Sequence, residues 1–390
     1  MNAMGLIFSN IHDRDIPELT QERTMGSIPF AGRYRLVDFC LSNMVNSGIT
    51  KVGVITKSNY QSLMDHLGSG KDWDLARRKG GLHILPPFGL KENVLYNTRL
   101  EALRGAQNFL KMSDEEFVVL ADCDTVCSMN YEEFIREHIE KRADVTLVYV
   151  KKEYDPQKAH NEMVLEIDDS GRVTDIQFDP RNAGVVNSAT NVVIFRRTLL
   201  LSLLADAFSH DFKHFGRDVI ARNVNNLRIM GVEHKDYFVQ ITSLNEYYSE
   251  SLKLLDKDVY NKVFKSSNVY TKVKDSVPTE YGNSAVVKNS LIADGCYIEG
   301  TVENCILSHD VVIKKGAVIR NSVIYSQSVI EENAVIDYSI IDEKVTIGNG
   351  AKVGGSPEKG KSPVITVLGR DITVSDGAKI AAGEIVDKNV

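Results

Sequence analysis

The side chains able to grip a soft metal or act as strong nucleophiles are five cysteines, Cys40, Cys123, Cys127, Cys296 and Cys305. Their number is odd and no two form a C-x-x-C pair. Cys123 and Cys127 could share a metal, but no paired His or Cys motif completes a ligand set, and reduced thiols of a cytosolic protein are the plainer expectation. Beyond residue 258 the chain carries one histidine, His309. A loop histidine can serve acyl transfer as general base, although a solvated corner side chain is the simpler reading of it.

Two different rhythms set out the elements that would position reacting groups. From Met1 to about Asp258, short apolar runs alternate with helical patterns. Gly5–Phe8, Val52–Thr56, Phe117–Leu120 and Val145–Val150 read as buried strands. Asp38–Ser47, Thr98–Leu110 and Tyr131–Lys141 read as helices between them, and Leu199 to Leu204 as part of another buried helix. Such alternation predicts a mostly parallel, doubly wound, Rossmann-like sheet. Ligands of such sheets bind beyond the carboxyl ends of the strands, so the loops after Phe8 and Leu120 are where chemistry is expected.

The second rhythm has a period of six. Ile306, Val312, Val318, Ile324, Ile330 and Ile336 follow one another at that stride, with Ile292 and Ile298 before them. After a one-residue slip it continues at Ile341, Ile347 and Val353, and it returns at Val374, Ile380 and Val386. A six-residue apolar period predicts a left-handed hexapeptide parallel β-helix, with Asp294-Gly295, Gly316-Ala317, Asn333-Ala334 and Gly377-Ala378 at corners. The organisation expected is an α/β domain over 1–258, a linker over 259–282 and the β-helix over 283–390. Gly354–Pro363 reads as an exposed loop leaving a coil.

Composition narrows the function. The net charge of −7 offers no basic excess for nucleic acid, and no apolar run reaches the roughly 18 residues of a membrane span. The opening residues MNAMGLIFSN lack a basic leader, so a cytoplasmic location is expected.

The most specific stretch is Gly32-Arg33-Tyr34-Arg35-Leu36-Val37-Asp38-Phe39, followed by Leu41-Ser42-Asn43 and Asn46-Ser47-Gly48-Ile49. It resembles the G-[KR]-[FY]-R-[IL]-[IV]-D-F-x-L-S-N block of bacterial ADP-glucose pyrophosphorylases, the glucose-1-phosphate adenylyltransferases. Phe215-Gly216-Arg217-Asp218 and Leu244-Asn245-Glu246-Tyr247-Tyr248 resemble two later motifs of that family.

The resemblance implies a reaction centre that this chain has lost. The family's glycine-rich phosphate loop falls on Asn10-Ile11-His12-Asp13-Arg14-Asp15-Ile16, where no glycine remains and Asp13 and Asp15 should repel a triphosphate. The lysine of R-A-K-P becomes Met25. Of two Mg²⁺-binding aspartates, one is kept as Asp124, with Asp122 a competing assignment, and the other becomes Gln240. The lysine that would meet the sugar phosphate becomes Asp179. Around the base, Tyr96 is kept, Thr98 replaces a glycine and Arg99 a small residue. Arg33 falls on the family's anionic effector site, with Arg35 beside it.

An intact scaffold block with an altered site resembles the GlgD-type branch, the non-catalytic partner subunits of the family. This implies a subunit with no catalytic residue and no cofactor of its own. It would tune a catalytic paralogue that uses Mg²⁺, within a hetero-tetramer, and could take a sugar bisphosphate or nucleotide as effector. The alternative is a weakly active or altered-specificity sugar-phosphate nucleotidyltransferase, with Arg14 or Arg23 supplying charge.

Overall fold

The computed structural model describes residues 2–87, 96–157, 161–357, 360 and 362–390. Among these, the first domain is built on a nine-stranded sheet with apolar clusters on both faces. Ala3–Phe8 lies at its centre, parallel to both Lys51–Ile55 and Phe117–Asp122. These strands are buried along nearly their whole length, as their continuous Val, Ile and Leu content demands. The sheet is mixed rather than mostly parallel. The long strand Gly184–Arg196 runs antiparallel to both Phe117–Asp122 and Val145–Tyr154.

Two helices matter most for the site. Leu36–Asn46 begins with a one-way cap, in which Arg35 N donates to the Asp38 carboxylate at 2.9 Å. It ends where Gly48 takes a φ of +72°, open to glycine at little cost. Arg99–Lys111 is capped by Thr98, whose hydroxyl accepts from Glu101 N, and it buries Leu100, Leu103, Ala106 and Leu110 at helical spacing. The helix expected at Leu199–Leu204 runs over Arg197–Ser209, with Leu200 and Leu204 buried.

The second domain is a three-sided left-handed β-helix whose faces are six-stranded parallel sheets. Corners follow from backbone conformation: Gly295, Gly316, Asn333 and Gly377 all take positive φ. An asparagine ladder, Asn289 to Asn304 to Asn321, closes by donating to Asp337 at 3.0 Å. The stride holds at Ile292 and Ile298 and is one residue out at Ile306, Val312 and Val318. Leu307, Ile313 and Ile319 fill the coil interior, whereas Ile306 packs toward the first domain. Val312 and Val318 are only partly buried, because each of these short strands points its second side chain inward.

The linker expected over 259–282 is partly ordered differently. Lys257–Phe264 is a helix, capped by the Asp256 carboxylate on the N–H groups of Asp258 and Val259. Phe264 stacks on Tyr34 at 4.9 Å, which explains why this short segment folds. At the other end, Glu280–Tyr281 already pairs as the first β-helix strand. Of the loop expected over Gly354–Pro363, residues 358–359 and 361 lie outside the described residues; the flanking strands end at Gly354 and resume at Thr366.

The domains share an apolar core that includes Met25, Phe30, Phe39 and Tyr247 from one side and Ile306, Tyr325, Ile340 and Val367 from the other. Within it Arg23 makes a bidentate pair with Asp342, at 3.0 and 2.7 Å. The Tyr247 and Tyr325 hydroxyls meet at 2.7 Å. Among the described residues no helix is long and apolar enough to cross a membrane.

Candidate functional site

Strand register brings the two expected loops together. Phe8 lies opposite Asp122, so the loop after Phe8 rises beside the chain turn that carries Asp122 and Asp124. The ribbon Thr125–Cys127 with Phe238–Gln240 sets Gln240 against Thr125, next to Asp124. Both aspartates are fully buried.

Their charge is met from within the chain. His12 Nε2 stands 2.8 Å from Asp122 Oδ2 and 3.4 Å from Asp124 Oδ2. Its Nδ1 faces Asp15 at 3.1 Å, so both ring nitrogens address carboxylates. Burial opposes a charged ring there, but the three aspartates outweigh it and hold the His12 pKa well above its ordinary value. The Arg99 guanidinium donates to Asp122 Oδ2 as well. Burial raises the Asp122 pKa, and Arg99 and His12 together bring it below the usual range. Gln240 Nε2 donates to Asp124 Oδ2 at 2.7 Å. Asp124 is nevertheless pushed up by burial.

These residues do not fit the Mg²⁺ that the resemblance implied. His12, Asp122 and Asp124 are close enough to share a metal, and one oxygen of each aspartate is buried without a partner. Mg²⁺ takes a near-octahedral shell of oxygens. Here the His12 ring, the Arg99 guanidinium and the Gln240 amide already take the facing carboxylate oxygens, and neither a guanidinium nor an amide nitrogen ligates Mg²⁺. Asp124 is therefore not solitary, as the sequence suggested, but one member of an internally neutralised cluster.

The phosphate-loop positions behave alike. Asp13–Asp15 forms a short 3-10 turn, and none of residues 9–16 takes the positive φ that glycines would allow. Asp13 Oδ1 accepts from Met25 N at 2.7 Å, and its Oδ2 accepts from Asn10 Nδ2 at 2.6 Å. Burial pushes this carboxyl up to about 6. The Asn10 side-chain Oδ1 accepts from Lys57 N at 2.9 Å. Asp13 and Asp15 are thus turned onto partners in the chain instead of standing free to repel a ligand. Ile11 lines, with Asn10, Asp13, Tyr96 and Lys57, the 350 Å³ cleft that remains. The Met25 side chain points away from this cleft into the interdomain core, 1% exposed.

On the base side, Thr98 serves as the helix cap and Tyr96 is buried, its hydroxyl without a hydrogen-bond partner among the described residues. Asp179 sits apart in a turn with φ +50°, accepting from Glu162 N at 2.7 Å. Arg14 donates to Asn97 at the surface, and Arg23 is engaged by Asp342, so Arg23 supplies no charge to the cleft. Cys123 and Cys127 are free and buried.

Arg33 and Arg35 do come together, in a 230 Å³ pocket between the domains with Lys272, Lys274, His66 and His309. Arg35 Nη1 donates to the Ser62 carbonyl at 2.9 Å. His309 is not the solvated corner expected: it is 6% exposed, its Nδ1 lacks a partner, and burial lowers its pKa.

Sequence reasoning missed His12, which had been read only as a link in a lost glycine loop, and it read Arg99 only for bulk. The available signal was the addition of two cationic side chains to a site whose counter-cation was disappearing.

Comparison with known proteins agrees with this architecture. Residues 16–257 match the nucleotidyl transferase family, and residues 274–375 match the GlmU-like C-terminal hexapeptide family. The glycogen biosynthesis protein GlgD of Bacillus subtilis is 33% identical over 80% of this chain and 81% of its own. That of Geobacillus stearothermophilus is 36% identical over 80% and 82%. The glucose-1-phosphate adenylyltransferase of Thermosipho africanus is 31% identical over 81% and 77%. With its nucleotidyl transferase domain, hexapeptide β-helix and relatives of this kind, the chain belongs to the glycogen-synthesis nucleotidyl transferase family of GlgD and the glucose-1-phosphate adenylyltransferases.

Proposed function

We propose that this chain is a non-catalytic regulatory subunit of a glucose-1-phosphate adenylyltransferase. On this reading it assembles with a catalytic paralogue as a hetero-tetramer in the cytoplasm. It raises or tunes the partner's conversion of ATP and glucose 1-phosphate to ADP-glucose and pyrophosphate. It needs no cofactor itself; Mg²⁺ belongs to the partner.

The observation that carries the reading is the neutralised pair Asp122 and Asp124, held by His12, Arg99 and Gln240. Adenylyl transfer concentrates negative charge between nucleotide and sugar phosphate, and catalysis needs cations free to meet it. The cations nearest Asp122 and Asp124, His12 and Arg99, are spent on the chain's own carboxylates, and Arg14 and Lys57 at the cleft wall donate to the Asn97 side chain. The pocket around Arg33 and Arg35 keeps unspent positive charge, which supports an effector role for an anionic metabolite.

Purified alone, the chain should make no ADP-glucose from ATP and glucose 1-phosphate with Mg²⁺ present. Mixed with a catalytic pyrophosphorylase from the same host, it should co-purify and change that enzyme's rate. Robust turnover by the isolated chain would overturn the reading.

A further inference from the structure

The geometry points to Glu343 as an internal occupant of the interdomain anion pocket, a tethered carboxylate that an incoming anion must displace. This rests on the effector reading of that pocket and adds its regulation. Glu343 lines the pocket from the β-helix side, opposite Arg33, Arg35 and Lys274. Its carboxylate stands 3.8 Å from Arg35 Nη2, 3.8 Å from Arg23 Nη2 and 3.4 Å from Arg370 Nη2. Cations from both domains therefore converge on one side chain.

The contacts are at ion-pair distance but longer than charge-assisted hydrogen bonds. Arg23 spends its short bonds on Asp342, and Arg35 spends its own on Ser62. Glu343 offsets part of the charge without being locked by bidentate geometry. Burial pushes its pKa up, but Arg23, Arg35, Arg370 and Lys274 outweigh that and keep it ionised. Groups suited to an external anion stay available: among the described residues Arg33 stacks only on Tyr34, Lys274 has no ion pair, and the buried Nδ1 of His309 has no hydrogen-bond partner. Such a pocket fits a compact phosphorylated anion, and Glu343 sets how tightly it is held.

Inorganic pyrophosphate titrated calorimetrically into the full chain tests this. Glu343→Gln, which keeps the shape and removes the charge, should bind about tenfold or more tightly than the unaltered chain. Adding Arg33→Ala should remove most of that gain, which separates this pocket from the cleft around Asp13. Glu343→Ala is the second variant, for use if the amide disturbs folding, and should tighten binding likewise. Equal or weaker binding by folded Glu343 variants overturns the internal-occupant role while leaving the anion pocket in place. No binding by any variant overturns both. A gain that survives Arg33→Ala places the anion elsewhere and also overturns the proposal.

Discussion

Replacing Gln240 by aspartate tests whether the buried carboxylate pair is already neutralised. Gln240 Nε2 donates to Asp124 Oδ2 at 2.7 Å, so a carboxylate one methylene shorter would come within about 4 Å of Asp124. Two like charges at that distance repel by about 4 kcal/mol at an effective dielectric of 20. Gln240 is only partly buried, so solvent reduces this to about 2 kcal/mol, to which the lost hydrogen bond adds about 1. In a domain of this size that lowers the melting temperature by about 5–10 °C.

The same change supplies the missing acidic ligand. Mg²⁺ at ten times the Kd of such a site would return about 1.4 kcal/mol, whereas the unaltered chain should not respond to Mg²⁺ at all. The assay is thermal unfolding of Gln240→Asp and the parent with Mg²⁺ or a chelator, followed by an ADP-glucose assay of the variant. No turnover is expected, because Met25 and Asp13 still leave the phosphates without their cation and donors. Two results would refute the reasoning: Mg²⁺ stabilising the parent as much as the variant, or Gln240→Asp leaving stability unchanged.

Met25→Lys should give no detectable ADP-glucose. It should also lower stability by several kcal/mol, since Met25 is 1% exposed in the interdomain core and an ammonium there is desolvated; an ADP-glucose assay and a urea melt check both. Arg23→Met should cost about 3–5 kcal/mol in urea unfolding by leaving Asp342 buried and unpaired, and Arg23→Met with Asp342→Leu should recover most of it. If each single change costs under about 1 kcal/mol, the pair does not lock the domains. Burial lowers the His138 pKa from 6.5 to about 4. Between those values the unfolded chain takes up the proton first, so stability is full above pH 6.5 and falls as pH drops toward 4, by about 2–3 kcal/mol. The melting temperature of His138→Gln should fall less steeply over that range, and parallel curves would remove His138 from the acid response.

The fold was legible where a physical demand repeats. Every β-helix coil must fill its interior, so the six-residue period stood out. Its inward column was legible from Ile324 onward but not at Ile306, Val312 and Val318, because Val312-Ile313 and Val318-Ile319 put β-branched residues on both faces of a short strand. The helix Lys257–Phe264 was missed for the opposite reason. It is eight residues long, and its stabilising contact, Phe264 on Tyr34, is made far away in sequence. The site was legible as a set of substitutions but not as a set of pairs. His12 meets Asp122 across 110 residues and Arg23 meets Asp342 across 319, separations at which no local pattern survives.

Those pairs change what the substitutions mean. Read singly, Asp13, Met25 and Gln240 are losses of donors and charge. In the folded chain each loss has a tethered replacement: the Asp13 carboxylate takes the Met25 N–H, and His12 and Arg99 stand over the aspartates. A tethered group acts at high effective concentration and never dissociates, so the cleft's conformation does not depend on the supply of any ligand. A ligand that binds two states equally shifts nothing, and a cleft whose buried carboxylates are already paired within the chain has little differential affinity to offer. On the regulatory-subunit reading, such a chain holds its faces toward a catalytic partner in one fixed arrangement. The substrate-driven changes of the complex then arise in the partner, and this chain's remaining sensitivity lies at the interdomain pocket, where Glu343 can still be displaced.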